Sequence, residues 1–258
     1  TSIVILGGLQ RISKVTAKLV PAMVVLYFVL VLIILAVHID VVPKYFSMIF
    51  TDAFSANFIE PDAFFGGALG TLIVLGVRRG AFSNEAGIGT APMAHGAAKT
   101  AEPIREGLVA MLGPFIDTIV VCTLTALAIL VTGVWQTSDS NGVSLTATAF
   151  ASAIPSYGKY LLMVCVAIFS ISSLFSYSYY GTKALSFLVG VKHQHYYNYF
   201  FIASILLGAT SDLETMINLI DSAFALMAIP TMLTTLILAP KVMEETKKYI
   251  QKLRKDGD

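Results

Sequence analysis

The sequence contains few charged residues, two cysteines and no catalytic motif. Of its 258 residues, 13% are charged and 56% are hydrophobic, and the mean hydropathy is +0.78. A soluble domain carries roughly 25% charged residues, so this composition excludes a cytosolic enzyme, a nucleic-acid-binding protein and a disordered chain. The sequence has no phosphate-binding loop, no His-Glu metal spacing and no Gly-x-Ser-x-Gly nucleophile elbow. Cys122 and Cys165 lie in apolar segments and are expected to be buried apolar residues, not a disulfide or a metal site.

Long apolar segments make up most of the chain and predict an all-α, multi-pass membrane protein. A membrane-spanning helix needs about 20 predominantly apolar residues. Five segments are candidate spans by this rule, with the fourth short: residues 19–37, 108–134, 160–182, 196–209 and 216–239. These spans predict a membrane region over residues 1–240, which lies in the lipid bilayer, and a charged tail over residues 241–258.

Residues 63–98 form an irregular candidate span. Its first 15 residues, 63–77, are apolar but would rise only about 22 Å as a helix, which is less than the roughly 30 Å of a hydrocarbon core. Arg78 and Arg79 follow, and then a segment of small, mostly uncharged residues. The helix could end at Val77 and continue as a cytoplasmic loop, or it could be one span broken near Ser83 to Gly89. We favour the broken span, because transporter binding sites use helices interrupted at glycines.

The basic residues are distributed unevenly between the two sides of the membrane. If the spans alternate, thirteen of the 17 Lys and Arg residues fall on one side and two on the other, with Arg78 and Arg79 unassigned. Positively charged loops face the cytoplasm, so the C-terminus is predicted to be cytoplasmic, in a protein of the plasma membrane. On the opposite side, residues 43–56 and 145–158 are interpreted either as short surface helices or as ordered loops.

Polar groups within the spans indicate the candidate functional site, because each is costly in hydrocarbon. Asp117 lies about 15 Å into its span, and Arg78 and Arg79 reach a similar depth if the preceding helix is broken. We predict that these three residues form a buried charge network. Such a network either holds helices together or takes part in gating or ion coupling.

The predicted break, Ser83-Asn84-Glu85-Ala86-Gly87, has the features of a ligand site. An interrupted helix frees backbone groups, whose N–H groups suit a carboxylate and whose carbonyls suit an ammonium group or a sodium ion. The alternative is a simple kink at a cluster of glycines. The span at 160–182 carries a polar stripe in which Ser173 and Tyr177 share a helix face. Such serines either bind ligands or allow helices to pack closely.

Four segments resemble one family. They are GVRRGAFSNEAGIGTAP, KTAEPIREGLVAMLGPFIDTIVVCTLTAL, SYSYYGTKA and DSAFALMAIP, and they closely resemble the alanine/glycine:cation symporters, also called sodium:alanine symporters. The resemblance covers nearly the whole chain. It implies the five-plus-five inverted-repeat fold of sodium-coupled transporters, of which this chain would hold the fifth core helix and the second repeat. We also expect the chain to be the C-terminal part of a larger transporter whose N-terminal half is missing, because it begins Thr-Ser-Ile without a Met.

The resemblance also implies a function and a set of site residues. It implies sodium-coupled symport of a small neutral amino acid, alanine or glycine, by alternating access, with sodium as the co-transported ion. The implied substrate-binding residues are Phe82, Ser83, Asn84, Glu85, Gly87, Ser173 and Tyr177, and the implied sodium-binding residues are Ser172 and Ser173. In the family a tryptophan takes the place of Tyr177 and a threonine that of Ser173, so the aromatic ring and the hydroxyl are kept.

Two other functions remain open at this point. The protein could be a proton-coupled or exchange carrier in which Asp117 or Glu85 titrates. It could also be a structural membrane subunit of a larger complex.

Overall fold

The computed structural model of the chain describes residues 8–53, 68–85 and 87–256, and the regular elements in this part of the chain are all helices. This confirms the all-α prediction. The α-helices are α1 (Gly8–Val37), α2 (Val42–Ala53), α3 (Ala68–Ser83), α4 (Thr90–His95), α5 (Pro103–Pro114), α6 (Thr123–Thr132), α7 (Gly142–Ala153), α8 (Gly158–Val189), α9 (Gln194–Thr210) and α10 (Leu213–Asp256). A π-helical segment, Phe115–Cys122, joins α5 to α6, and short 3₁₀ turns lie at Val134–Gln136 and Val191–His193.

Four helical segments are long and apolar enough to cross a membrane, judged by length and composition. They are Lys14–Val37, Pro103–Thr132, Gly158–Val189 and Leu213–Lys255, and they correspond to the predicted spans 19–37, 108–134, 160–182 and 216–239. The predicted span 196–209 is α9, which has 17 residues. The predicted surface segments 43–56 and 145–158 overlap α2 and α7, so residues 43–53 and 145–153 are helical.

The π-helical segment directly follows a proline. Pro114, the last residue of α5, has no backbone N–H and cannot donate the helical hydrogen bond to the carbonyl four residues earlier. The eight residues that follow, Phe115–Cys122, take the wider π-helical turn before the α-helical pattern resumes at Thr123. Segments of this kind are often found at functional sites, and this one contains Asp117.

The chain divides into two compact units, of which the first contains residues 1–76 and 119–181. Its core is formed by buried apolar side chains of α1, α6, α7 and α8, among them Val31, Ile34, Ala128, Phe150 and Leu162. The Tyr27 ring stacks on Phe150 with centroids 5.9 Å apart, and its hydroxyl lies 2.5 Å from the Thr125 hydroxyl oxygen. Cys165 is buried in this core as predicted, whereas Cys122 is exposed. The prediction was therefore wrong for Cys122, which lies at the end of the π-helical segment.

The second unit contains residues 77–118 and 182–258. Its longest element is α10, an uninterrupted helix of 44 residues that includes Pro230 and Pro240. A helix of this length extends about 66 Å, roughly twice the thickness of a hydrocarbon core. The described residues of the predicted tail, 241–256, continue α10 as a helix. Many apolar side chains of α10 are exposed, including Leu236 and Ile237, as expected for a helix in contact with lipid.

Candidate functional site

The predicted helix break is present. The helix α3 continues past Arg78 and Arg79 to Ser83, and α4 begins at Thr90. The helix therefore does not end at Val77, and it stops where the broken-span interpretation placed the break, whereas the crossing of the membrane by residues 63–98 stays a prediction. Between the two helices the backbone enters the left-handed region at Glu85 (φ 52°), Gly87 (φ 76°) and Gly89 (φ 88°). A break of this kind removes the helical partners of several backbone N–H and C=O groups.

The second half-helix is shorter than the sequence argument assumed. The helix α4 has six residues, fewer than two turns, and its N-cap residue, Gly89, makes no side-chain capping hydrogen bond. The macrodipole of so short a helix is small. Binding of a carboxylate at the break would therefore depend on individual N–H groups and side chains more than on the helix dipole.

The break is bound to the π-helical segment through side chains. Ser83 Oγ donates a hydrogen bond to Asp117 Oδ2 over 2.5 Å. Asn84 Nδ2 donates to Thr118 Oγ1 over 2.7 Å, and Thr118 Oγ1 donates in return to Asn84 Oδ1 over 2.9 Å. Two consecutive residues of one helix thus pair with two consecutive residues of the break. The sequence indicated Ser83, Asn84 and Asp117 as site residues but gave no sign of Thr118.

The charges pair differently from the predicted network. Arg78 forms an ion pair with Asp221 of α10, whose side chain is only 6% exposed. In the described part of the chain, Asp117 forms no ion pair with Arg78 or Arg79. The reason is position along the helix, because Asp117 lies level with Ser83, five residues or about 7.5 Å beyond Arg78. The predicted pairing was therefore wrong, although Arg78 and Asp117 each contact a polar partner.

The helix α10 packs along the broken helix in the same direction. After the Arg78–Asp221 pair, the Phe82 ring contacts Phe224, with centroids 5.2 Å apart. Farther along, a Cβ added at Gly87 would clash with the Met232 methyl group, and one added at Gly89 would lie 2.9 Å from Thr231 Oγ1. The contacts of Arg78 with Asp221 and of Phe82 with Phe224 advance along both helices in the same direction, so α3 and α10 run parallel here. No sequence pattern indicated Phe224 or Met232.

The other predicted site residues belong to the first unit, on α8. Ser172 is buried, and its hydroxyl donates a hydrogen bond to the Phe169 carbonyl over 2.8 Å. Ser173 is half-buried. The Tyr177 ring packs edge-on against Tyr180, with centroids 5.9 Å apart. The predicted substrate set therefore lies partly in each unit, with Phe82 to Gly87 in the second and Ser173 and Tyr177 in the first.

Comparison with known proteins adds an independent observation. The model of the sodium:alanine symporter family matches residues 1–258. A sodium/alanine symporter of Methanococcus maripaludis is 41% identical over 252 residues, which cover 96% of this chain and 54% of that protein. A probable sodium/glutamine symporter of Bacillus subtilis is 31% identical over 99% of this chain and 52% of its own length. A sodium/proton-dependent alanine carrier of Bacillus sp. strain PS3 is 28% identical over 98% of this chain and 60% of its own length.

The family match thus runs over the entire chain, and the chain spans about half the length of the curated relatives it matches.

Gly87 provides a test of the break geometry. We expect Gly87→Ala to destabilise the protein by about 1 to 2 kcal/mol, because a Cβ is strained at a φ of 76°. Adding Met232→Ala should recover only the part of that loss that comes from the side-chain contact. Thermal unfolding of the purified protein in detergent measures both effects. The control is Gly107→Ala on α5, where an added Cβ meets nothing within 4 Å and should be neutral or stabilising. Equal stability of the Gly87 and Gly107 variants would contradict this geometry.

Proposed function

Because this chain belongs to the sodium:alanine symporter family, we propose that it forms part of a sodium-coupled symporter for alanine or glycine. The protein works by alternating access in the plasma membrane, and no covalent chemistry is involved. The observation that carries this proposal is the helix break at Ser83 to Gly89, held by Asp117 and Thr118 within an apolar chain. The likeness to a sodium/alanine symporter over 96% of the chain supports the choice of ion and substrate.

The break supplies the groups that an amino acid needs. Its N–H groups suit the substrate carboxylate, and its carbonyls suit the substrate ammonium group. Substrate contacts come from Phe82, Ser83, Asn84, Glu85 and Gly87. The Phe82 ring packs against Phe224 and closes one side of the substrate pocket. This pocket can be small, because the side chain of alanine is a single methyl group.

The residues of α8 complete the proposed assignment. Ser173 and Tyr177 contact the substrate, and Ser172 and Ser173 bind sodium through their hydroxyl oxygens. Hydroxyl oxygen is a suitable ligand because sodium is a hard cation. The fold proposed for the whole protein is the five-plus-five inverted repeat, with α1 as the fifth core helix and the following helices as the second repeat.

The proposed orientation places the C-terminus in the cytoplasm, and two contacts within the second unit support it. Lys252 of α10 forms an ion pair with Glu102 in the loop before α5, so the tail and this loop lie on one side of the membrane. The hydrogen bond from Lys252 holds the pKa of Glu102 below its ordinary value. The parallel run of α3 and α10 agrees with spans that both pass from outside to inside.

The orientation can be tested by labelling whole cells. In a variant without Cys122 and Cys165, a cysteine at Lys255 should resist a membrane-impermeant thiol reagent, whereas one at Asp139 should react. Permeabilised cells are the control, since both positions should then label. The opposite pattern in intact cells would invert the topology and contradict the cytoplasmic tail.

A proton-coupled or exchange carrier is the second candidate function. The observation in its favour is the hydrogen bond between Ser83 and Asp117, because a carboxylate within a span marks a proton relay in many transporters. A relative from Bacillus sp. strain PS3 is named as sodium/proton-dependent. Protonation of Asp117 or Glu85 would then take the place of sodium binding.

Transport by the purified full-length protein in proteoliposomes separates these functions. With an inward sodium gradient we expect alanine to accumulate above its external concentration, and with an equal potassium gradient we expect equilibration at most. Accumulation under a pH gradient without sodium would support proton coupling instead. Uptake that requires alanine inside the vesicles would indicate exchange, and no uptake under any gradient would contradict the proposed function.

Two residues of α8 should give separate phenotypes. Tyr177→Ala should enlarge the substrate pocket and weaken the exclusion of larger neutral amino acids, by about 1 to 3 kcal/mol per methylene-sized gap. Ser172→Ala should raise the sodium concentration needed for half-maximal uptake and leave selectivity unchanged. Competition assays and sodium titrations of uptake measure these effects. Tyr160→Ala and Ser170→Ala, at exposed positions of the same helix, are the matched controls. Unaltered selectivity of Tyr177→Ala would remove Tyr177 from the pocket.

A further inference from the structure

The helix α10 contacts the second half of the broken span at both of its ends. At the break, the Met232 side chain packs so closely against Gly87 that a Cβ added there would clash with its methyl group. Beyond α4, Lys252 of α10 forms an ion pair with Glu102, which lies at the end of the loop between α4 and α5. The segment from residue 87 to residue 102 is therefore held against α10 at its beginning and at its end.

These two contacts differ in kind. The contact at Gly87 is close packing of an apolar side chain against the backbone. The pair of Lys252 and Glu102 joins opposite charges on side chains that are 61% and 26% exposed, so water and dissolved ions reach it and its attraction is weak. Glu102 is the N-cap residue of α5, yet its side chain makes no capping hydrogen bond to that helix. Its carboxylate accepts a hydrogen bond from Lys252 Nζ instead.

The loop between α4 and α5 is short and internally bonded, so a displacement at Glu102 is passed on to α4. His95 is the last residue of α4, and its Nδ1 lies 2.7 Å from Oε1 of Glu106 in the first turn of α5. Within the loop, the Glu102 backbone N–H donates a hydrogen bond to Thr100 Oγ1 over 3.1 Å. The half-helix, its loop and the start of α5 therefore form one bonded piece, and Lys252 ties this piece to α10.

We propose that the pair of Lys252 and Glu102 is an inner latch, which holds α4 against α10 while the inner path is closed and separates when that path opens. The inference rests on the proposed function, because alternating access opens a path from the break to the inner side, where the proposed orientation places α4. A weak, exposed ion pair suits this role, since it can break and re-form in each cycle. Removal of one charge should therefore shift the population toward the inward-open state by a small factor.

The first measurement follows the accessibility of α4 and needs no transport. In the full-length protein without its native cysteines, a cysteine replaces the half-buried Ala91 of α4, and its reaction with a thiol reagent is timed in detergent. Lys252→Gln and Glu102→Gln should each speed this reaction about threefold. Glu102→Lys combined with Lys252→Glu should bring the rate back toward that of the parent. Lys248→Gln is the control and should not change the rate, because the ion pairs of Lys248 lie within α10.

The second measurement asks whether the latch has to open during transport. Cysteines that replace Glu102 and Lys252 are joined by a short bifunctional thiol reagent that a reductant cleaves, and sodium-driven alanine uptake is measured in proteoliposomes. Cross-linking should abolish uptake, and the reductant should restore it. A cysteine pair that replaces Glu244 and Lys248, one turn apart on α10, is the matched control and should leave uptake unchanged.

The results separate the latch from the proposed function. Full uptake by the cross-linked pair at 102 and 252 would overturn the latch and leave the symporter function standing. An unchanged labelling rate in Lys252→Gln, or a raised rate that charge reversal does not lower, would overturn the latch as well. If charge reversal corrects the labelling rate in a protein that takes up no alanine under any gradient, the latch stands and the symporter function fails.

Discussion

The structure of the second unit depends on one constraint, which is that polar groups within an apolar chain must find partners inside the protein. A helix that stops at Ser83 and resumes at Thr90 releases backbone groups, and each would cost several kcal/mol if left to hydrocarbon. The break therefore contacts polar side chains of the π-helical segment and residues of α10. The side chains of Ser83 and Asn84 form hydrogen bonds with Asp117 and Thr118. These hydrogen bonds hold the irregular backbone of the break in place.

The same constraint explains the arrangement of charges. Among the described residues, Asp117 and Asp221 both contact the broken helix, and of these Asp221 pairs with an arginine. Asp117 instead accepts a hydrogen bond from the Ser83 hydroxyl. The two carboxylates therefore differ in their contacts: Asp221 belongs to an ion pair, and Asp117 belongs to a hydrogen bond that links the break to the π-helical segment.

Composition and spacing predicted most of the helices, because the spans follow directly from apolar length. The break could be predicted because 15 apolar residues are too short to cross the hydrocarbon core, and the glycines after Arg79 marked its position. The partners of the break could not be predicted. Thr118, Phe224 and Met232 are ordinary residues of apolar helices, and the register of α10 against α3 decides what they touch. Likewise, the expected pairing of Asp117 with the arginines failed because depth in a span was estimated to within several residues, whereas an ion pair requires agreement within one turn.

The length of α10 links two parts of the second unit mechanically. One continuous helix carries Asp221, Thr231 and Met232 beside the broken helix and Lys252 beside Glu102. Lys252 and the break lie more than 30 Å apart along this helix. Because a helix is stiff, a rotation of the helix at Lys252 would also turn the residues beside the break, although the helix can bend at Pro230 and Pro240. Residues 241–256 therefore share one helix with the residues that contact Gly87 and Gly89, and a rotation of either part would be transmitted to the other.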